Sequence, residues 1–534
     1  MIKGFRQIAV LTTLSRILGM VRDMTFAFFL GRTELMDIWV IAFKIPNLSR
    51  RIFGEGALSS SFIPVYIEQL KRDAPAARRL AGTVVGVLLV LLSSVVAVAM
   101  GVLALYCWRV RPLPETQLML VLAAVMLPYM VLICTVAALA GILQSHRHFA
   151  APAAAPVLLN MVVIASLWFS GRALGWAPEE QVGFVAVGVL VAGLLQLALQ
   201  LGALRRIGFD LHVSWHVKAE PFKRVMTLMA PMVLGLTVTQ INTLADDVIA
   251  RLLSGSEAKG EFFFLLGQQV RYPVWAGAVS SLFYSQRLYQ FPLGVLGISL
   301  ATAIFPVMSS DAARGDMRAL IRTVSRGIRA SIFVAIPATA GLFLIGRPLV
   351  SAIFEQGRFT SEDTPRVAVT LLFYALGLSG YFMQQITTRA FYSLQDPTTP
   401  CRSAILAVGV NVVLNLVLIW PLGTGGLAVA TASCSYLQVA VLSHALHRRL
   451  GQSALAGAAG TLVKTLLATL VMVVAGGAVL WLLKSWPASR TANIARIGAV
   501  VPVAALVYLG AAKALKIESL TLLTGARKRR TGKA

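Results

Sequence analysis

The chain has 534 residues, of which 57% are hydrophobic and only 13% are charged, and its mean hydropathy is +0.77. This composition carries far more apolar surface than a soluble protein of this size could bury, so it predicts a polytopic membrane protein. The formal net charge of +26 is spread over short segments between apolar runs. It does not indicate a nucleic-acid-binding protein, whose basic residues would follow one surface stripe.

Apolar runs close to the ~20 residues needed to cross a bilayer occur about fourteen times along the chain. Lys and Arg concentrate in alternate loops, near residues 71–79, 205–224, 314–326 and 448–464, and in the tail from residue 527. Because positively charged loops face the cytoplasm, both termini are predicted to be cytoplasmic. The first run contains arginines and is not followed by a small-residue cleavage site, which indicates a retained span rather than a signal peptide.

The first two apolar runs carry charges that a lipid-facing helix cannot hold, since each costs roughly 2.5 to 3.5 kcal/mol at the centre of a membrane helix. Water, an opposite charge or a ligand must face these side chains, which predicts a polar cavity within the bilayer. Arginine keeps its charge and binds phosphate or carboxylate through two parallel hydrogen bonds, so an anionic substrate is favoured. The charged residues are Arg16, Arg22, Asp23, Asp37, Lys44, Arg50, Arg51 and Glu55.

Helical spacing sorts the charges of the first run into two directions. Arg16 and Asp23 share a helix face, whereas Arg22 is rotated by roughly 100° from Asp23. A straight helix would therefore not aim both arginines at one point. Gly19 lies between the two arginines, where it either allows a bend or provides a packing contact.

In the second run, four charged residues fall close to one helical stripe, and Arg50 falls off that stripe. We expect Pro46 to break the helical phase before Arg50. Asn47 is expected to line the cavity. The stripe consists of Asp37, Lys44, Arg51 and Glu55. Asp37 is expected to pair with an arginine in an outward-open state, and the other three residues either contact substrate or form an internal salt-bridge network.

The distribution of spans predicts two halves and an appendix. Six spans precede a basic connector and six follow it, as in a transporter whose two bundles rock about a central site. The last two spans either pack as a lipid-facing pair or form a groove for a lipid tail. The predicted regions are an N-terminal lobe (1–206), a cytoplasmic connector (207–222), a C-terminal lobe (223–450), a helix pair (451–516) and a basic cytoplasmic tail (517–534).

Five segments carry a resemblance to a known family: SRILGMVRD, FKIPNLSRRIFGEGALSSSFIPVY, RLYQFPLGVLGISLATAIFPVMS, FEQGRFTSED and RAFYSLQDPTTP. With them the chain resembles the MurJ/MviN lipid II flippases of the multidrug, oligosaccharidyl-lipid and polysaccharide exporter superfamily. The resemblance implies an all-α inner-membrane transporter of fourteen helices, with two six-helix lobes around a central cationic cavity. Such proteins are not enzymes and need no cofactor. They move undecaprenyl-diphosphate-linked GlcNAc-MurNAc-pentapeptide to the outer face for peptidoglycan assembly.

The resemblance also assigns residues to the substrate. The central arginines of the family correspond to Arg16, Arg22, Arg50 and Arg287, which together would clamp the diphosphate. The chain departs from the family at Gln286 and Gln290, where acidic residues are usual, and in the longer segment 255–280. A gating ion pair at those two positions is therefore not expected here.

The sequence leaves several energy sources for transport open. No Walker-type GxxxxGK[ST] segment for ATP is present, which leaves the membrane potential, an ion or product consumption. Some members of the family resemble sodium-coupled carriers, and the corresponding oxygen-bearing positions are Asp246, Asn411, Asn415 and Thr431. The alternative for the asparagines is hydrogen bonding between helices, since Asn415 stands where the sodium-binding pattern has a carboxylate.

Three other functions remain open at this level. An exporter of another polyprenyl-diphosphate-linked saccharide, or of drugs, would share the fold, although intramembrane arginines favour an anionic lipid over a cationic drug. A glycosyltransferase would need a carboxylate or metal constellation, and the loops contain only scattered acids. A scaffold for cell-wall synthesis or division proteins is compatible with the basic tail, which is more simply a positive-inside anchor. Lipid II and membrane lipids are the expected partners, with no nucleic acid.

The first prediction concerns topology and follows from the alternation of loop charges. Reporter fusions at the C-terminus and in the loop around Arg314 are expected to be cytoplasmic, and a fusion near Glu362 is expected to be external. Paired reporters that are active on opposite sides of the membrane provide the measurement. An external C-terminus would rule out fourteen spans with both termini inside.

Overall fold

The computed structural model describes residues 2–50, 52, 58–487 and 489–520, and it divides into two compact units, Met1–Val248 and Ile249–Ala534. Residues 223–248 of the predicted C-terminal lobe fall within the first of these units, and the predicted lobes stay a prediction. The helices of the first unit, the last of which crosses the boundary, are α1 (Ile2–Leu30), α2 (Glu34–Ser49), α3 (Leu58–Arg72), α4 (Ala74–Val110), α5 (Pro114–Met126), α6 (Pro128–Ser145), α7 (Ala150–Trp168), α8 (Pro178–Arg206) and α9 (Glu220–Leu252).

The second unit begins with short strands and continues as helices. The strands β1 (Ser254–Gly255), β2 (Phe262–Leu265), β3 (Gln268–Arg271) and β4 (Val274–Trp275) were not predicted from the sequence. The helices are α10 (Ala278–Pro292), α11 (Ser299–Ala313), α12 (Met317–Phe354), α13 (Asp363–Leu376), α14 (Leu378–Ser393), α15 (Thr398–Leu422), α16 (Thr424–Leu450), α17 (Ala458–Leu482) and α18 (Arg490–Ala514).

The helices confirm the predicted class of an all-α polytopic membrane protein. In the described part of the chain, eleven helices are long and apolar enough to cross a membrane, and the pair of α13 and α14, bent by 41°, raises this number to twelve. Charged α1 and the shorter α2 and α3 are not among them. Two spans formed by these helices would complete the predicted fourteen, so that count stays a prediction.

The connector between α8 and α9 lies directly on α4. The Ser214 hydroxyl donates to the Arg79 carbonyl oxygen at 2.9 Å and lies 3.0 Å from the Thr83 hydroxyl. A Cβ atom on Gly82 would lie 2.0 Å from the His212 carbonyl oxygen, so only glycine allows this approach. The polar connector is thereby fixed to the first unit.

The C-terminal helix pair packs on α12. The Tyr508 hydroxyl donates to the Phe333 carbonyl oxygen at 2.6 Å, and Asn493 donates to the Ser351 hydroxyl at 2.8 Å. The opposite side of the pair is apolar and exposed, as at Val474 and Leu506, which are 65% and 70% exposed. This arrangement fits the lipid-facing alternative, and the lipid-tail groove stays a prediction.

A buried ion pair joins α2 to α9. The Lys44 ammonium donates to Asp247 Oδ2 at 2.5 Å and to the Thr243 carbonyl oxygen at 2.6 Å. The Asp247 side chain is only 3% exposed and that of Lys44 is 17% exposed. A second pair, Arg224 with Glu68 at 2.8 Å, joins α9 to α3 closer to water. The internal salt bridge considered for Lys44 therefore has its partner on α9.

The second prediction tests the Lys44–Asp247 pair by a double-mutant cycle. Lys44→Met and Asp247→Leu should each destabilise the purified protein by roughly 3 to 5 kcal/mol, because each leaves one buried charge without its counter-ion. The double variant should recover most of that loss. Denaturation midpoints in detergent provide the measurement.

The exposed Arg224–Glu68 pair is the matched control for this cycle. Its side chains are 56% and 33% exposed, and its coupling energy should be at most about 1 kcal/mol. Additive losses in the Lys44–Asp247 cycle would contradict a buried ion pair.

Candidate substrate-binding site

Arg22 lies where α1 contacts α7, and two polar side chains hold its guanidinium group. Its Nε and Nη2 atoms donate to Asp23 Oδ1 at 3.1 and 2.7 Å, and Nη1 donates to Asn160 Oδ1 at 3.1 Å. The Asn160 amide donates in turn to the Ser15 carbonyl oxygen at 3.1 Å. The Arg22 side chain is thus long enough to reach Asp23, although adjacent residues of a helix point in directions about 100° apart. Its charge is compensated within α1 while its side chain is 15% exposed.

Gly19 and Arg16 occupy different surroundings on the same helix. α1 is continuous from Ile2 to Leu30. A Cβ atom on Gly19 would lie 3.7 Å from the Asn160 amide nitrogen, so Gly19 serves as a packing contact beside Asn160. Arg16 is exposed on the surface of the described chain. Arg16 and Arg22 therefore do not share one environment.

Arg50 follows α2 and is oriented by a residue of that helix. Its Nε atom donates to Asn47 Oδ1 at 2.9 Å. The predicted break at Pro46 is wrong, because α2 continues through Pro46 to Ser49 and widens into a π-helical turn only at Arg50. Asn47 therefore positions an arginine, beyond the lining role expected from the sequence.

Tyr129 forms a second buried polar group in the first unit. Tyr129 of α6 is 0% exposed and donates to Gln196 Oε1 of α8 at 3.4 Å, and the Gln196 amide donates to the Ala155 carbonyl oxygen of α7 at 2.6 Å. This group joins three helices, one of which, α7, also carries the Asn160 that holds Arg22.

Sequence reasoning missed the neutral side chains that form these polar groups. Asn160 is the one amide of the apolar run VLLNMVV, and Gln196 lies in the apolar run GLLQLALQ together with Gln200. A buried amide needs a hydrogen-bonding partner, so amides within apolar runs were an available signal. Tyr129 gave no comparable signal, because tyrosine is common in apolar helices.

The other charged residues predicted for the first two spans lie in separate places. Asp37 is 0% exposed on α2, and Lys44 pairs with Asp247. Arg51 and Glu55 lie outside the described residues. The roles predicted for Asp37, Arg51 and Glu55 stay predictions.

The second unit holds Arg287 on α10. Its guanidinium carbon lies 4.6 Å from the centre of the Phe283 ring, a cation–π distance. Gln286, where the family is usually acidic, donates from its amide to the Tyr374 hydroxyl at 3.0 Å. Gln290 is exposed. Gln286 therefore joins α10 to α13 by a hydrogen bond between neutral side chains.

Three of the four positions predicted for sodium lie together in the second unit. The Asn415 amide donates to Asn411 Oδ1 at 2.9 Å, and the Asn411 amide donates to the Thr431 hydroxyl at 3.3 Å. Both asparagines are 0% exposed. Asp246 is buried on α9 in the first unit. The bond between Asn411 and Thr431 joins α15 to α16, and the sodium site stays a prediction.

Asp396, in the last of the family segments, caps a helix. It accepts hydrogen bonds from the amide and hydroxyl of Thr399 at 3.1 and 2.8 Å and pairs with Arg449 at 3.1 Å. Partial burial alone would raise the pKa of Asp396, but these partners hold that pKa below its ordinary value. Asp396 therefore stabilises the start of α15. Asp363, the first residue of α13, accepts from the Thr360 amide at 2.9 Å in the turn before that helix.

The described residues contain no group of three or more His, Cys, Asp or Glu side chains placed to hold a metal ion. None of the four cysteines, Cys107, Cys134, Cys401 and Cys434, forms a disulfide within the described part of the chain. The chemistry that the site residues offer is the binding of an anion by guanidinium groups held in an apolar protein.

Comparisons with known proteins agree over most of the chain. The family described as lipid II flippase MurJ matches residues 26–495. A probable lipid II flippase MurJ of Vibrio cholerae serotype O1 is 33% identical over 454 residues, which cover 82% of each chain. The lipid II flippase MurJ of Burkholderia cenocepacia is 29% identical over 460 residues, again 82% of each chain.

Solved structures share the fold. A lipid II flippase MurJ in an inward closed conformation superposes with a TM-score of 0.76 at 22% identity, covering 96% of this chain and 99% of that one. An inward-facing multidrug resistance MATE family transporter of the MOP superfamily gives a TM-score of 0.64 at 16% identity, covering 83% and 94%. The family match includes Arg50 and Arg287 together with their helices. The chain belongs to the lipid II flippase MurJ family.

Proposed function

We propose that this protein is a lipid II flippase of the bacterial cytoplasmic membrane that works by alternating access. It moves undecaprenyl-diphosphate-linked GlcNAc-MurNAc-pentapeptide from the inner to the outer face, where cell-wall synthesis proteins consume it. Family membership supports this assignment, because the matched relatives carry that activity in their names. The observation that carries it is the partly buried Arg22 guanidinium, which Asp23 and Asn160 hold among apolar helices.

The diphosphate would bind the Arg22 guanidinium by taking the place of its present partner, Asp23. A diphosphate brings about two negative charges into a low-dielectric site, where fixed positive charge in a planar fork is the matching group. In the structure Asp23 compensates Arg22. A phosphate oxygen would replace the Asp23 oxygen, so the arginine would be paired both with and without substrate. Arg50 and Arg287 are proposed as the further contacts of the clamp, with Arg16 as an outer member.

A cationic drug is the less favoured cargo for the same reason. MATE transporters share the fold, but the guanidinium groups of Arg22 and Arg50 would repel a cation in a low-dielectric site. Another polyprenyl-diphosphate-linked saccharide would satisfy the same arginines. Lipid II is preferred to such a saccharide because of family membership, since both substrates carry the diphosphate that the arginines would bind.

The third prediction concerns the clamp. Arg22→Ala, Arg50→Ala and Arg287→Ala should each fail to complement a flippase-depleted strain while the protein stays in the membrane. Each change removes charge-assisted hydrogen bonding of roughly 1.5 to 3 kcal/mol, or about 10- to 100-fold in transport rate. Lysine at these positions should rescue poorly, because it supplies charge without the fork.

Arg318→Ala is the matched control, since Arg318 is an exposed arginine in the first turn of α12. It should complement fully at an equal membrane level. Full complementation by all three clamp variants would contradict the clamp and leave the substrate assignment resting on family membership alone.

The membrane potential is proposed as the force that resets the empty carrier. Each positive charge that crosses the full field gains about 2.3 kcal/mol per 100 mV, so an inside-negative potential favours the inward-facing state. One or two effective charges would strongly shift a balanced equilibrium. Sodium coupling through Asp246, Asn411, Asn415 and Thr431 is the competing account, since all four residues offer oxygen ligands.

The fourth prediction separates the two driving forces. With a single reporter cysteine at Leu18, one turn from Arg22, collapse of the potential should trap the carrier outward-facing, and labelling should report that state. Asp246→Asn should change this response little. Labelling that instead follows sodium at constant potential, and that Asp246→Asn abolishes, would make Asp246, Asn411, Asn415 and Thr431 a sodium site.

A further inference from the structure

The segment between α9 and α10 contains a β-hairpin whose tip exposes apolar side chains. Strands β2 and β3 pair antiparallel, from Phe262 with Arg271 to Leu265 with Gln268. Leu266 at the tip is 98% exposed and Phe264 is 79% exposed. Leu265 and Phe262 are about half exposed as well. A contiguous exposed apolar group of this kind marks an interaction surface.

The turn of this hairpin is unusual for its residue type. Leu266 and Gly267 have φ angles of 50° and 81°. A two-residue turn with positive φ at both positions favours Asn, Asp or Gly, because a β-carbon is strained there. Leu266 is therefore both strained and fully exposed. Local strain of this kind is typical of positions that a function maintains.

The base of the hairpin is fixed to the rest of the second unit. β1 pairs in parallel with β4, immediately before α10. The Phe263 ring packs 4.8 Å from the Tyr272 ring and 6.4 Å from the Trp420 ring at the end of α15. The Lys259 ammonium donates to the Arg251 carbonyl oxygen at 3.0 Å, in the last turn of α9. The tip is thus presented by a fixed base.

That base lies where membrane helices end. α9 ends at Leu252, α10 begins at Ala278 and α15 ends at Leu422. Trp275 and Trp420 are 42% and 43% exposed beside it, and tryptophans collect at the membrane–water interface. Strands of four residues reach about 14 Å from the base. The tip is therefore within reach of the headgroup region.

We propose that hairpin 262–271 docks on the outer leaflet of the membrane, with Phe264, Leu265 and Leu266 at the boundary between headgroups and acyl chains. Interfacial docking needs only a few buried apolar side chains. A stable protein–protein interface needs roughly 800 Å² per partner, more than one hairpin tip offers. The exposed Gln268, opposite Leu265 next to the tip, suits hydrated headgroups, while Arg271 pairs with Glu261 at 3.6 Å at the base of the hairpin. The outer side follows from the predicted topology, and the docking goes beyond the proposed transport function.

The fifth prediction is read by fluorescence quenching in purified protein. A fluorophore on Leu266→Cys, with the four native cysteines replaced, is examined in lipid vesicles. Nitroxide-labelled lipids with the nitroxide in the upper acyl region should quench it several-fold more strongly than they quench a fluorophore on Glu257→Cys. A water-soluble quencher should show the opposite order. Glu257 is the matched control because it is an exposed residue at the base of the same hairpin.

Two results would overturn the proposal. Equal aqueous quenching at both positions would show that the tip stays in water. Protection of the Leu266→Cys fluorophore from both quenchers would show that the tip packs against protein instead. Neither lipid II nor transport enters this measurement, so its outcome is independent of the proposed function.

Discussion

Positive charge inside a low-dielectric membrane protein must be compensated at every stage, and this constraint organises the first unit. Arg22 is paired with Asp23 and oriented by Asn160, and Lys44 is paired with Asp247. Without these partners each buried cation would cost several kcal/mol. In the proposed clamp, the Asp23 carboxylate would keep Arg22 paired while the carrier is empty.

The class of the protein and its main arginines could be predicted from the sequence, because charges inside apolar runs stand out against their background. The partners of those charges could not. Asp247 is distant from Lys44 in sequence, and Asn160 is distant from Arg22, so only the tertiary contacts join them. Helical spacing also predicted that Arg22 and Asp23 point in different directions. The flexible arginine side chain nevertheless folds back to donate to Asp23.

Other differences have local causes. Asp396 is one of the scattered acids of the loops, and its hydrogen bonds belong to a helix start. The asparagines of α15 matched an oxygen-rich ion site, and in the structure Asn415 donates to Asn411, which donates to Thr431. The stretch FFFLLGQQVR lies within segment 255–280, which is longer than in the family. Its strands escaped prediction because a short apolar run does not distinguish a strand from a helix end.

Transport of the diphosphate lipid by this chain alone is the central claim, and reconstitution tests it most directly. Purified protein is placed in vesicles that carry lipid II in one leaflet, and the appearance of lipid II in the other leaflet is followed. The account predicts faster appearance than in protein-free vesicles, and no acceleration for a lipid with the same tail but no diphosphate-linked head. Equal rates with and without the protein, or equal acceleration of both lipids, would contradict it.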